Sequence, residues 1–120
     1  QNHIKNCVIY TGTHDNDTTL SWYRDLSAAD RRFASEYLNI PAGVKDADIP
    51  WYFIRSALAS VADTAIIPMQ DVLSLPHKAR MNTPSTIGGN WQWRMKRGAF
   101  SKTRQNKLKK LTELYGRARI

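Results

Sequence analysis

Cys7-Val8-Ile9-Tyr10-Thr11-Gly12-Thr13-His14-Asp15-Asn16-Asp17 is a short, unbroken apolar run that gives way to turn formers and polar side chains. An apolar run without alternation reads as a strand buried on both faces, as in a parallel sheet. A second such run is Ala65-Ile66-Ile67-Pro68-Met69. Pro68 cannot donate to a ladder, but a strand terminus tolerates it. More than fifty residues separate the two runs, and most carry helical patterning. A connection of that length implies parallel pairing through a right-handed crossover. The chain is therefore read as α/β, with the polar cluster at the carboxyl end of a parallel strand, where α/β barrels project their catalytic side chains.

Working outward, Asp17 is placed to cap a short helix through Tyr23. Ser27 opens a capping-box-like start, and Phe33, Tyr37 and Leu38 then share one face of a helix that ends near Asn39 before Pro41. A polar loop, Gly43 to Asp48, leads to Pro50 in a first helical turn. Trp51, Ile54, Leu58 and Val61 recur at helical spacing behind it. Beyond the second strand, residues 70–75 allow one helical turn. Residues 76–100 are irregular yet hold Met81, Trp91 and Trp93, so an ordered loop is expected that packs against something or binds something. A helix from about Lys102 to Tyr115, with Leu108, Leu111 and Tyr115 on one face and Gly116 after it, ends the pattern.

Two parallel strands leave two open edges and cannot bury both faces of each strand. A complete (β/α)8 TIM barrel needs about 250 residues. The expectation is thus a fragment of a longer chain, namely the last two strand–helix units of such a barrel. Its parts are two βα units over 1–75, an ordered loop over 76–100 and a terminal helix over 101–120. The chain opens on Gln1, which also points to a missing or processed N-terminus.

The 120 residues, 42% hydrophobic and 23% charged, suit one globular domain and exclude a disordered or fibrous chain. No apolar stretch approaches the roughly 20 residues of a membrane span, and no signal-peptide pattern opens the chain. Cys7 is the single cysteine, so no internal disulfide is possible, and a buried, inert thiol in the reducing cytoplasm is expected. The net charge of +8 is uneven. Residues 1–93 carry eight basic and nine acidic side chains, whereas residues 94–120 carry ten basic ones and only Glu113. Such a tail is either the solvated face of a terminal helix or a site for nucleic acid.

The four consecutive residues His14-Asp15-Asn16-Asp17 supply donors and acceptors suited to vicinal hydroxyls. The same residues also fit a plain helix N-terminus, with Asp15 or Asp17 capping and complementing the dipole. Metal ligation is disfavoured, because His14, Asp15 and Asp17 lack a ligand spacing. Neither metal nor cofactor is expected.

The run from Val8 to Thr19 with Trp22-Tyr23 resembles the signature near the seventh barrel strand of the 4-α-glucanotransferases of glycoside hydrolase family 77. Three later blocks are similar to that family too, in the same order: Pro68-Met69-Gln70-Asp71-Val72-Leu73, Ala79-Arg80-Met81-Asn82-Thr83-Pro84 and Gly89-Asn90-Trp91-Gln92-Trp93-Arg94. Two loop positions depart from it. Ser85 stands where members usually have glycine, and Ser74-Leu75-Pro76 replaces a glycine-containing turn.

The resemblance implies a retaining transfer of an α-1,4-glucan segment to an acceptor glucan or glucose, with a sugar hydroxyl attacking in place of water. It implies that Asp15 is the third acid, holding the 2- and 3-hydroxyls of the sugar at the cleaved bond. Thr13 and His14 would bind substrate beside it, and Asn82 would lie near the mouth of the site. The nucleophile and acid/base come from strands four and five of that family, which this stretch lacks. These 120 residues alone should therefore be inactive and need the rest of the parent chain as partner. Trp91 and Trp93 read either as sugar-stacking rings or as loop anchors, and Arg94 as ion-pair partner or ligand. Asp71 could orient a site residue or cap its own turn. A small basic nucleic-acid-binding module and a non-catalytic glucan-binding piece are the alternatives.

Overall fold

A computed structural model describes residues 7–118. Strand β1 (Val8–Tyr10) is followed by helices α1 (Thr19–Asp25), α2 (Ala28–Leu38) and α3 (Ile49–Ala59). Strand β2 (Thr64–Ile66), the single turn α4 (Met69–Val72) and helix α5 (Lys102–Leu114) complete the order, with short 3-10 turns at Asp46–Asp48 and His77–Ala79. The strands pair in parallel, Val8 opposite Thr64, Ile9 opposite Ala65 and Tyr10 opposite Ile66.

The expectation of strands buried on both faces fails here. Val8 and Tyr10 are 47% and 49% exposed. A two-stranded sheet has one neighbour per strand, and Thr64 and Ile66 of the second strand are exposed like Val8 and Tyr10 of the first. The second strand also stops before Pro68, whose missing donor suits it to the N-cap of α4 instead.

Helix starts follow local chemistry. Thr18, rather than Asp17, caps α1 by accepting from the Ser21 amide. Ser27 caps α2 as its spacing predicts, and Asn39 closes that helix in the left-handed conformation at φ 56°. The α2 face does not enter the core. None of its residues is buried, and Phe33 is 71% exposed.

Helix α3 is the spine, because its apolar residues point two ways. Trp51, Ile54 and Leu58 meet Val72, and Phe100, Leu108, Leu111 and Tyr115 pack over them from the C-terminal segment. On the other side Ile49 joins Leu20 and Tyr23 of α1, with Leu26, Ile40 and Val44 around them. Ile54 has no exposed surface, and burying such a side chain is worth about 2 kcal/mol. Val61, expected on the same face, lies beyond the last turn of α3 and is exposed.

The basic tail is partly absorbed by this packing. The Lys107 ammonium sits 4.5 Å from the centre of the Trp51 ring and 3.8 Å from the Asp48 carboxylate. The Arg117 guanidinium forks onto the carbonyls of Leu58, Ser60 and Ala62 at 2.8, 3.1 and 2.8 Å, closing the end of α3. Among the described residues no helix is long and apolar enough to cross a membrane.

Candidate active site

The loop from Thr11 to Thr19 leaves the carboxyl end of β1 and enters α1, so its side chains stand at the end of the parallel pair. Its base is fixed by one carboxylate from the neighbouring strand's continuation. Asp71, only 2% exposed, takes the Thr11 hydroxyl at 2.7 Å and the Thr19 hydroxyl at 2.7 Å on one oxygen. The other oxygen accepts the Thr19 amide at 2.9 Å. Of the two roles open to Asp71 in the sequence, capping its own turn is not the one its oxygens serve.

Within the loop, Asn16 accepts from both the amide and the hydroxyl of Thr13, at 3.0 and 2.8 Å. That bond turns Thr13 inward on its own loop. Asp17 is likewise committed, to the Thr18 amide at 2.8 Å, the Ser21 hydroxyl at 2.7 Å and the His77 ring at 3.2 Å. Burial alone would push the Asp17 carboxyl up. The Ser21, His77 and Thr18 hydrogen bonds and the nearby His77 charge outweigh it and hold the group below its ordinary value.

Asp15 is left facing outward, about half exposed, as is His14. The segment after β2 supports both. Asn82 donates its side-chain amide to one Asp15 oxygen at 2.6 Å, and its backbone amide to the His14 carbonyl at 3.1 Å. Arg80 donates to the Asp15 carbonyl at 2.7 Å while bracing the Asn82 carbonyl at 2.9 Å. The second Asp15 oxygen lies 3.4 Å from His14 Nε2. The Trp91 ring packs 4.9 Å from the His14 ring at a 41° tilt, and its backbone amide reaches the Met81 carbonyl.

The structure thus brings together Asp15, His14, Asn82 and Trp91, and ties Thr13 beside them. Trp93 stays half-buried, and Arg94 donates to the Trp91 and Trp93 carbonyls. Arg80 and His77 emerge as loop anchors that no sequence pattern had marked. Arg80 lies inside a family-like block, so its place there was the only available signal.

Thr13, His14, Arg80 and Trp91 line a cleft of about 190 Å³ with Asp17 and Asp71 in its wall, and Asp15 stands beside it next to His14. Larger hollows lie between α1, α2 and the 40–49 loop and along α5. Neither is lined by an imidazole. At the edge of the smaller cleft the Asp15 carboxylate and a His14 ring nitrogen stand side by side at the water boundary, fixed from behind by amides. Such a pair accepts from, and donates to, two adjacent hydroxyls.

A family model described as 4-alpha-glucanotransferase matches residues 1–101. A 4-alpha-glucanotransferase of Arabidopsis thaliana, described as chloroplastic/amyloplastic, is 48% identical over 119 residues, 97% of this chain and 20% of its own length. A 4-alpha-glucanotransferase of Clostridium butyricum is 44% identical over 117 residues, 97% of this chain and 23% of the relative. Among solved structures, an amylomaltase from Streptococcus agalactiae in complex with acarbose superimposes with a TM-score of 0.91 at 35% identity. That match covers 98% of this chain and 23% of the other. The chain spans about a fifth of the length of the curated relatives it matches. None of these similarities points toward nucleic acid.

Proposed function

Because the chain belongs to the 4-alpha-glucanotransferase family, we propose that it forms the part of an α-1,4-glucan transferase site that grips the sugar at the cleaved bond. In this reading residues 1–75 are the last two strand–helix units of a (β/α)8 barrel, 76–100 the loop that walls the site, and 101–120 the helix that seals the outside. The parallel pairing of β1 with β2 and the placing of the site at the end of β1 support it.

Asp15 carries the reading. One of its oxygens is held by Asn82, and the other is open beside His14. In a retaining transfer, positive charge develops at the anomeric carbon and the 2-hydroxyl acidifies, so a carboxylate on the vicinal hydroxyls binds the transition state more tightly than the ground state. His14 donates to the same sugar, and the outer face of Trp91 stacks on it. Asn82 is assigned a substrate contact only through its side-chain carbonyl, since its side-chain amide is spent on Asp15 and its backbone carbonyl on Arg80. Thr13, occupied by Asn16, shapes the wall more than it binds.

The nucleophile and the acid/base are assigned to the part of the enzyme outside this stretch. Asp17 and Asp71 each accept three hydrogen bonds, Asp17 from Thr18, Ser21 and His77 and Asp71 from Thr11 and Thr19, which commits their oxygens to the loop. The stretch alone would therefore not turn over. Its substrates are α-1,4-glucans and maltooligosaccharides, and the solved relative that holds acarbose supports that class. The reducing environment that suits Cys7 is the cytoplasm, although the Arabidopsis relative is described as plastidial.

The test is maltotriose disproportionation by the full-length protein carrying this segment. Asp15→Asn should lower kcat roughly 100-fold and leave KM within about threefold, the mark of a contact made mainly in the transition state. Unchanged kcat would refute the assignment.

A further inference from the structure

Asp71 is a buried carboxylate that the reaction as described does not use. Taking a charge out of water is costly, and a buried ionic group is weak evidence of a gain in stability over an apolar replacement. Its geometry is therefore informative. All three of its side-chain bonds go to the two ends of one loop, Thr11 on the strand side and Thr19 on the helix side. It is 2% exposed, at the floor of the cleft, with both oxygens already taken by the loop. Seven residues, Gly12 to Thr18, hang between those two threonines, and Asp15 stands at the centre of the span.

We propose that Asp71 is a positioning residue for Asp15, a clamp at the base of the loop that sets where the Asp15 carboxylate meets the sugar. The inference rests on the reading of Asp15 given above. With both ends of the span held by one side chain, the loop pivots only about a fixed base. Asn82 and Arg80 then set its tip. Releasing the base shifts the tip, and a displacement of about 1 Å at a reacting centre costs on the order of 100-fold in rate.

The clamp makes a specific demand on substitution. Asp71→Asn satisfies it. The amide oxygen still accepts the Thr19 N–H, and the two hydrogens of the amide nitrogen can serve the two hydroxyl oxygens that formerly donated. Asp71→Leu fills similar space and holds neither end.

Kinetics of maltotriose disproportionation by the full-length protein separate the outcomes, with kcat and KM measured apart at a temperature where each variant is folded by circular dichroism. Asp71→Asn should stay within about threefold of the parent, and Asp71→Leu should lose about 100-fold in kcat with KM little changed. On an Asp15→Asn background, Asp71→Leu should cost no further activity, because a residue acting through Asp15 has nothing left to position. Should Asp71→Leu fail to fold, Thr11→Val cuts one tether alone and should lower kcat about tenfold, again only when Asp15 is present. Full kcat in Asp71→Leu, losses that multiply with Asp15→Asn, or an Asp71→Asn as impaired as Asp71→Leu would overturn the proposal. Full activity in Asp15→Asn would instead overturn the reading of Asp15 itself, and this proposal with it.

Discussion

Replacing Arg117 by methionine keeps the aliphatic stem and removes the guanidinium that closes the end of α3. Three good hydrogen bonds disappear, to Leu58, Ser60 and Ala62, along with a longer one to Asp63 at 3.4 Å. Bonds from a charged donor are worth about 1.5–3 kcal/mol each in buried settings. Arg117 is only half-buried, so solvent screening reduces each to roughly 1 kcal/mol. The expected loss for Arg117→Met is therefore about 3 kcal/mol. Lysine can satisfy one carbonyl but cannot fork, so Arg117→Lys should lose about 2 kcal/mol. A urea titration of the chain followed by tryptophan fluorescence reads this directly, since Trp51 sits in the adjoining core. The midpoint should fall with the slope unchanged. A change below about 0.5 kcal/mol for Arg117→Met, or a lysine variant equal to the parent, would refute the reasoning.

Three further outcomes are expected. Ser85 occupies a left-handed conformation at φ 65° with no Cβ-free relief, so Ser85→Gly should raise stability by about 0.5–1 kcal/mol in the same titration. Ser74→Gly should change little, because Ser74 at φ 54° repays its strain with a 2.6 Å bond to the Ala47 carbonyl. For Asp17 the native carboxyl titrates below 3.8, so the unfolded chain binds its proton at the higher pH. The stability it contributes is therefore complete only well above the ordinary carboxylate range and lost as pH falls through the native value. Carbon-13 NMR of the carboxyl should find His77→Ala moving that titration back up toward 3.8. Finally, Trp91→Ala should weaken maltooligosaccharide binding to the full-length protein about tenfold by calorimetry, and Trp91→Phe, which keeps a ring against His14, less than threefold.

What could be read in advance was what neighbours in sequence decide. Ser27, Asn39 and Pro50 set helix ends by contacts within a turn, and the apolar spacing of Trp51, Ile54 and Leu58 placed the core side of α3. The pair of apolar runs gave the parallel strands. The burial of those strands could not be read, because it depends on what lies across the sheet and not on Val8 or Tyr10 themselves. The cluster at 13–17 pointed to the site, but not to the division of labour inside it. Whether Asp15, Asp17 or Asp71 stays open to solvent is decided by Asn82, His77, Thr11 and Thr19, from 52 to 67 residues away for the pairings that matter most. Both family departures include a left-handed backbone position, Ser85 itself and Ser74 in the Ser74-Leu75-Pro76 turn, which is where a glycine would sit without strain.

The sequence separation of those ties has a kinetic meaning. Helices α1, α2 and α3 close by contacts a few residues long and can form early, whereas the ties of Thr11 to Asp71, Arg80 to Asp15 and Asn82 to Asp15 span 60, 65 and 67 residues. Contacts that distant wait until the intervening chain has been ordered. The reactive loop is thus among the last features to acquire its shape during folding. An intermediate with all its helices in place would still lack an aligned Asp15, and in the full-length protein recovery of activity after dilution from denaturant should lag behind recovery of helical signal.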